Sequence, residues 1–425
     1  MKEYAILNAP TKDIRSWSNQ DTVWMLSLYG TAIGAGVLFL PINAGLNGII
    51  PLIIMTLLAF PMTFYSHRAL CRFVLSGSSP DNDITDVVKQ HFGATAGTML
   101  TILYFFAIYP ILLMYGVAIT NTTESFLTHQ LGINAPPRAL LAFILIFCLM
   151  RVVRFGSENI VKSMSLLVYP FASILLFLSL YLVPYWNNSI LQTSNSLQAN
   201  GGQGLLMTLW LIVPVMVFSF NHSPIISSFA VSQKNIHGVA ADKKCIAIMK
   251  YSHLMMVFSV MFFVFSCVFS LSPQDLLLAK QQNISILSYL ANHFKTPLIA
   301  YLAPFIAFIA ISKSFLGHYL GASEGLSCII GNSFSSFNTL NKNQLRRIVE
   351  LFMIVTCWAV ATFNPNILKM IETLGGPIIA LILFIMPMYA ILKVPAMKKY
   401  GKQKSNLFVM IMGFISISAI IYCLI

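Results

Sequence analysis

Lys313 is flanked by Ser312 and Ser314 near the middle of the apolar run 296–328. If that run crosses a bilayer, a charged lysine at its centre costs at least about 2.5 kcal/mol. Its presence there points to chemistry. Burial favours the neutral amine, so a desolvated lysine can take up and release a proton. A permanently charged strut is the competing reading. Gly317, Gly321 and Glu324 follow at i+4, i+8 and i+11. They share one helical face whose small residues admit a neighbouring helix, which turns Lys313 towards the protein interior.

A second stretch, Ser219-Phe220-Asn221-His222-Ser223-Pro224, crowds hydrogen-bonding side chains in front of a proline. His222 has the ordinary titration range of a proton switch; a neutral ring bonded to local carbonyls is the alternative. In a third stretch Glu372 precedes Thr373-Leu374-Gly375-Gly376-Pro377, where it is a candidate gate or proton carrier. His318 falls off the Lys313 face and is assigned to packing, and Glu124, near the end of its run, to the membrane interface. Neither a Gly-x-Ser-x-Gly elbow nor a His-Glu-x-x-His zinc pair accompanies the Ser, His and Asn of the second stretch. An intramembrane enzyme is therefore the remote alternative, and neither a metal nor an organic cofactor is expected.

The elements that position these residues are membrane helices. The 425-residue chain is 57% apolar and 9% charged, against about 45–50% and 25% for soluble domains, which excludes a cytosolic enzyme. Eleven apolar stretches approach the roughly 20 residues that a bilayer crossing needs: 22–46, 49–74, 97–128, 138–153, 158–184, 203–231, 250–271, 296–328, 345–362, 366–393 and 405–425. The polar first 21 residues, broken by Pro10, show no removable signal peptide. The seven cysteines are scattered without a Cys-x-x-Cys pair and read as small buried hydrophobes.

The formal charge of +13 is an orientation signal. With the N-terminus inside, twenty-one Lys and Arg fall on the cytoplasmic side and three on the other, as the retention of positive charge requires. No support for nucleic-acid binding remains. The chain divides into a cytoplasmic tail (1–21), a first five-helix group (22–184), a periplasmic loop (185–202), a second group (203–393), and a cytoplasmic loop with an eleventh helix (394–425) whose C-terminus is periplasmic. An odd number of spans per group makes the groups enter the membrane from opposite sides, the topology of an inverted repeat.

Each group opens with a span that should break. In the first, Gly30, Gly34 and Gly36 precede Pro41, which deprives the Val37 carbonyl of its partner, so the helix is expected to open near 33–37. A Gly-x-x-x-Gly packing face is the alternative. In the sixth, Pro224 frees the Phe220 carbonyl and suits the start of a new half-helix capped by Ser223. Two such breaks bring opposed helix ends to the midplane, N–H groups for a carboxylate and carbonyls for an ammonium. That pairing fits a zwitterionic α-amino acid carried by alternating access. The N–H groups of Gly34, Ala35 and Gly36 are the candidates for the carboxylate. The carbonyls of Thr31, Ala32, Phe218 and Ser219 are the candidates for the ammonium, and Asn221, Ser223 or Ser219 for a substrate hydroxyl.

The strings GTAIGAGVLFLPINAG, FSFNHSPIISSFA, SKSFLGHYLGASEG and ETLGGPIIA resemble those of the bacterial hydroxy and aromatic amino acid permeases, from about Trp17 to the C-terminus. The resemblance implies an all-α fold with the leucine-transporter-like five-plus-five inverted repeat and proton-coupled uptake of L-serine, with threonine next. It also implies a bacterial inner-membrane location. Sodium symporters of that fold hold a cation between the first and eighth spans, where the Lys313 ammonium is expected to stand instead. An aromatic amino acid or threonine permease and a sodium-coupled carrier remain alternatives. The expected partners are the amino acid, the proton and membrane lipid, and the chain is expected to act as a monomer.

Overall fold

A computed structural model of the chain describes residues 16–153, 157–193, 204–294, 296–333, 342–371 and 376–424. Among them there are helices and no strands. In chain order the helices are α1 (Asn19–Ala32), α2 (Ala35–Leu46), α3 (Ile49–Leu75), α4 (Ile84–Phe92), α5 (Ala94–Ser125), α6 (Arg138–Val153), α7 (Ser157–Leu182), α8 (Ser189–Thr193), α9 (Leu205–Ser219) and α10 (Ser223–His237). There follow α11 (Ala241–Ser270), α12 (Pro273–Gln281), α13 (Ile286–His293), α14 (Pro297–Ser333), α15 (Lys342–Phe363), α16 (Ile367–Met370), α17 (Gly376–Ala380), α18 (Met386–Lys393) and α19 (Lys404–Leu424).

Among the described residues six helices are long and apolar enough to cross a membrane, or seven when α1 and α2 count as one bent span. The expected eleven are not all reached. Part of the reason is length: α6 has 16 residues, about 24 Å of helix, while α9 and the stretch Ile378–Lys393 are apolar but short.

Both expected breaks are present. Between α1 and α2 the chain leaves helical geometry at Ile33 and Gly34, and the two pieces bend by 53°. Pro41 lies inside α2, downstream of the opening rather than at it. Between α9 and α10 the chain opens over Phe220, Asn221 and His222, with Pro224 in the first turn of α10. Ser223 is not the cap: it belongs to α10, and its N–H donates to the Asn221 side-chain oxygen at 3.1 Å. Asn221 thus satisfies one of the donors that a helix start leaves open. The two interrupted spans lie side by side, α2 packing on α9, while α10 packs on α3 and α11 and α14 runs along α5. The stretch 372–375 where a third break is expected, including Glu372, lies outside the described residues.

Candidate functional site between the two helix breaks

The first break is shaped by space more than by dihedral freedom. Gly34 has φ −145°, which any residue adopts, but a β-carbon there would lie 2.3 Å from the Tyr115 hydroxyl and 2.6 Å from Ser314 Oγ. Only a hydrogen fits. One on Gly36 would lie 2.8 Å from Ser219 Cα and 3.0 Å from the Phe218 ring, so the start of α2 touches the end of α9. The N-cap of α2 is Gly34, which has no side chain to cap the helix start, where N–H groups lie beyond the reach of the helix's own carbonyls.

The expected ammonium carbonyls stand in the opposing ends, with some already engaged. Thr31 lies in the last turn of α1, with its hydroxyl donating to the Ser27 carbonyl at 2.8 Å, and Ala32 closes that helix. The Phe218 carbonyl accepts the Asn221 N–H at 3.1 Å. Ser219 is fully buried and its hydroxyl donates to the Gly36 carbonyl at 3.2 Å, so Ser219 joins the two breaks directly. Asn221 is 6% exposed and committed through its oxygen to Ser223. Of the expected hydroxyl partners, Asn221 and Ser223 are thus joined to each other, and Ser219 to Gly36.

Lys313 faces the first break from α14. Its side chain is buried, and Nζ has no hydrogen-bond partner among the described residues. It lies 5.5 Å from the Phe171 ring centroid on α7 and 3.1 Å from where a β-carbon on Gly30 would be. The neighbouring Ser314 donates to the Ile33 carbonyl in the break at 3.2 Å, and Ser312 Oγ is buried without a partner among the described residues. The glycine face downstream packs elsewhere: a β-carbon on Gly321 would meet Ile108 of α5. His318 packs edge-on to Tyr115 at 5.0 Å and bonds the Ser314 carbonyl.

Sequence reasoning missed Tyr115, one of five aromatics in the long apolar α5, and two histidines beside His222. His67 on α3 stacks on His222 at 3.6 Å between ring centroids, with planes 5° apart, and His253 on α11 stands 4.6 Å from His222. Ring nitrogens of the three lie within 4.8 Å of one another, a spacing that would admit a metal ion. The orientation does not suit one. A ligating imidazole aims an in-plane lone pair at the ion, and two parallel stacked rings cannot both do so.

Polar ties close both ends of the bundle. At one end Lys244 holds Asp21 at 2.7 Å and Arg72 holds Asp242 at 2.9 Å. At the other, Arg138 binds Glu124 at 2.6 Å and Asn121 at 2.6 Å, so Glu124 is paired. Asn121 in turn donates to the Asn283 carbonyl, and Asn283 to Asn364 and Pro365. The α12–α13 hairpin that carries this end also holds Asp275. Burial raises that carboxyl, but hydrogen bonds from Ser272 and the Tyr289 phenol outweigh it and keep the group below its ordinary range.

Over residues 22–425 the sequence matches the tryptophan/tyrosine permease family. The chain belongs to that family. The permease is 64% identical to Serine transporter SdaC of Escherichia coli K12, over 97% of both chains, and 63% identical to Serine transporter SdaC of Shigella flexneri. Among solved structures it is similar to MhsT in complex with L-phenylalanine, with a TM-score of 0.59, 15% identity, and 96% and 98% of the two chains covered. A Na+-coupled sialic acid symporter in a substrate-bound outward-open state gives a TM-score of 0.56, 12% identity and coverage of 98% and 92%. The likeness to these neighbours shows that the permease has the leucine-transporter-like fold. The permease is therefore a multi-pass membrane protein that transports amino acids, and not an enzyme.

Proposed function

We propose that the permease imports L-serine across the bacterial inner membrane by proton symport and alternating access. Its N-terminus is cytoplasmic, its C-terminus periplasmic, and a single copy surrounded by lipid suffices. Serine as substrate is supported by the 64% identity to a protein named a serine transporter, and threonine is the second substrate in order. The carboxylate sits on the N–H groups of Gly34, Ala35 and Gly36, and the ammonium on the facing carbonyls of Thr31, Ala32, Phe218 and Ser219. Asn221, Ser223 and Ser219 are the groups within reach of the hydroxyl.

The observation that carries proton coupling is the buried, unpartnered amine of Lys313 beside the first break. An ammonium there supplies the positive charge that a bound cation would otherwise give to the Ile33 region, and losing its proton removes that charge. Alternation between the two forms ties proton binding to the geometry of the break, with Ser314 linking the two through the Ile33 carbonyl. No other cofactor is needed. Movement of one proton with net-neutral serine is electrogenic, contributing about 2.3 kcal/mol per 100 mV, or roughly fiftyfold accumulation.

Proteoliposomes containing the purified permease test this. Serine should drive an inward current and internal acidification that do not depend on sodium, and excess tryptophan should compete poorly with labelled serine. A sodium-dependent current would replace the proton with sodium in this reading. Lys313→Ala should abolish proton-driven accumulation while exchange of bound serine persists; undiminished pH-dependent accumulation in that variant would remove Lys313 from the mechanism.

A further inference from the structure

His67, His222 and His253 come from α3, the sixth-span break and α11, and all three are buried. Each Nδ1 faces a carbonyl oxygen: Thr63 at 2.8 Å, Phe220 at 3.0 Å and Met249 at 2.5 Å respectively. A carbonyl only accepts, so all three Nδ1 atoms carry the hydrogen, and in the neutral rings all three Nε2 atoms present lone pairs. The His67 lone pair is used, accepting the His222 backbone N–H at 3.2 Å. Nε2 of His222 and of His253 are buried with no partner among the described residues. Two buried acceptors without partners in contacting rings are an expensive arrangement. A single proton relieves both once the rings close from their present spacing, within 4.8 Å between nitrogens, because the ring that takes it becomes a donor to the other.

We propose that His222 and His253, backed by His67, form a proton-binding site in which one proton is shared between the two Nε2 atoms, and that its occupancy is tied to the bend of the sixth span. The tie is direct: His222 is a residue of the break, and its peptide N–H is the group bonded to His67. Rotation of α10 against α3 breaks that bond and separates the rings that share the proton. Most other ionisable groups on the elements packed around the rings are engaged elsewhere, Tyr65 packing on Phe408 and Tyr251 on Trp17, while Lys243 and Lys250 are exposed. Asp21 is held by Lys244, Asp242 by Arg72, and Tyr29 bonds Ser259. Lys234 reaches the Gly77 and Ser79 carbonyls, Arg68 reaches Gln403 and Ser405, and the Cys71 and Cys245 thiols contact each other. α2 and α9 carry no ionisable side chain. The inference rests on the reading of the chain as a proton-coupled permease but on groups other than Lys313.

Two measurements test it. In wild-type protein labelled with 15N in the histidine rings, three buried rings should show Nδ1–H and bare Nε2 above neutrality, and acidification should protonate one Nε2 in contact with another. Serine counterflow, measured at equal pH on both sides of the membrane, should change severalfold across that same titration in wild type and by less than twofold in His253→Gln. Nε2–H tautomers at high pH, or a pH profile of counterflow unaltered by His253→Gln, would overturn the proposal. So would a stoichiometric metal ion recovered with the purified protein and lost in His253→Gln. If His253→Gln does not fold, the ring spectra of the wild type decide. Accumulation by Lys313→Ala is a separate readout, so failure of the lysine reading leaves this one standing and the reverse.

Discussion

Gly30 and Lys313 share one volume: a β-carbon on Gly30 would sit 3.1 Å from Lys313 Nζ and 2.4 Å from Val168 Cγ2. Valine is stiff about χ1, so Gly30→Ala cannot be absorbed by a rotamer change at Val168. Overpacking of this kind costs about 1–3 kcal/mol. The variant should melt lower than wild type and, by displacing the amine, shift the pH profile of proton-driven serine uptake. A lowered melting point with an unaltered pH profile would mean that Gly30 matters for packing alone.

Gly36→Ala strikes a harder obstacle. Its β-carbon would lie 2.8 Å from Ser219 Cα, a backbone atom that cannot step aside, so the two breaks must separate. The Ser219 hydroxyl bond to the Gly36 carbonyl goes with them. Serine binding to the purified variant should weaken by at least tenfold while the helical circular dichroism is retained. Equal affinity would mean that substrate does not sit between these helix ends.

Both breaks were legible because proline and closely spaced glycines mark them locally, and Lys313 because charge stands out in an apolar run. The fold follows from those marks, since matched interruptions in two groups of spans constrain the topology. What the sequence hides is convergence. His67 and His253 each stand without a neighbouring polar motif, and only the packing of α3 and α11 around the sixth span brings them to His222. The same holds for Asn121, Asn283 and Asn364, which meet across separations of 162 and 81 positions. Ser223 was expected as the cap because it immediately precedes Pro224; the Asn221 side chain, two residues earlier, reaches the free N–H first.

Asn283 is held in a left-handed conformation, φ 55°, and its side chain also accepts the Ile367 N–H at 2.9 Å. Glycine tolerates that backbone and alanine does not. Asn283→Gly should therefore lose only the side-chain ties to Asn364, Pro365 and Ile367, whereas Asn283→Ala adds backbone strain. Hydrogen exchange at Ile286–His293 should accelerate in both, and more in Asn283→Ala. Equal protection in wild type and both variants would show that these bonds do not hold the α12–α13 hairpin down.

Asp275 gives that hairpin a pH dependence of definite sign. Burial works to raise its folded-state pKa, but Ser272 and Tyr289 hold it below the ordinary carboxylate range. A depressed value contributes stability that is present above the unfolded value of about 3.9 and is lost as pH falls through the folded value. Asp275→Asn should thus loosen α12 at neutral pH, and the gap from wild type should close in the acid range below that value. Hydrogen exchange of Pro273–Gln281 at the two pH values measures it. A gap that widens on acidification would reverse the sign argued here.

At the opposite end, the buried Asp21–Lys244 pair links the start of α1 to the start of α11, with side chains 2% and 4% exposed. Removing one partner of such a pair leaves an uncompensated buried charge and costs about 3–5 kcal/mol, while removing both charges is far milder. Asp21→Asn strands Lys244, which among the described residues keeps the Ser16 carbonyl at 2.9 Å and the Trp17 ring. The cheapest relief is for α1 to swing away from α11 and let water reach the ammonium. Asp21→Asn should accordingly expose the first turns of α1 to hydrogen exchange, and Asp21→Asn combined with Lys244→Met should restore protection. If the double variant exchanges as fast as the single one, the pair is not the latch on that end and the Ser18 cap on α1 carries the effect instead.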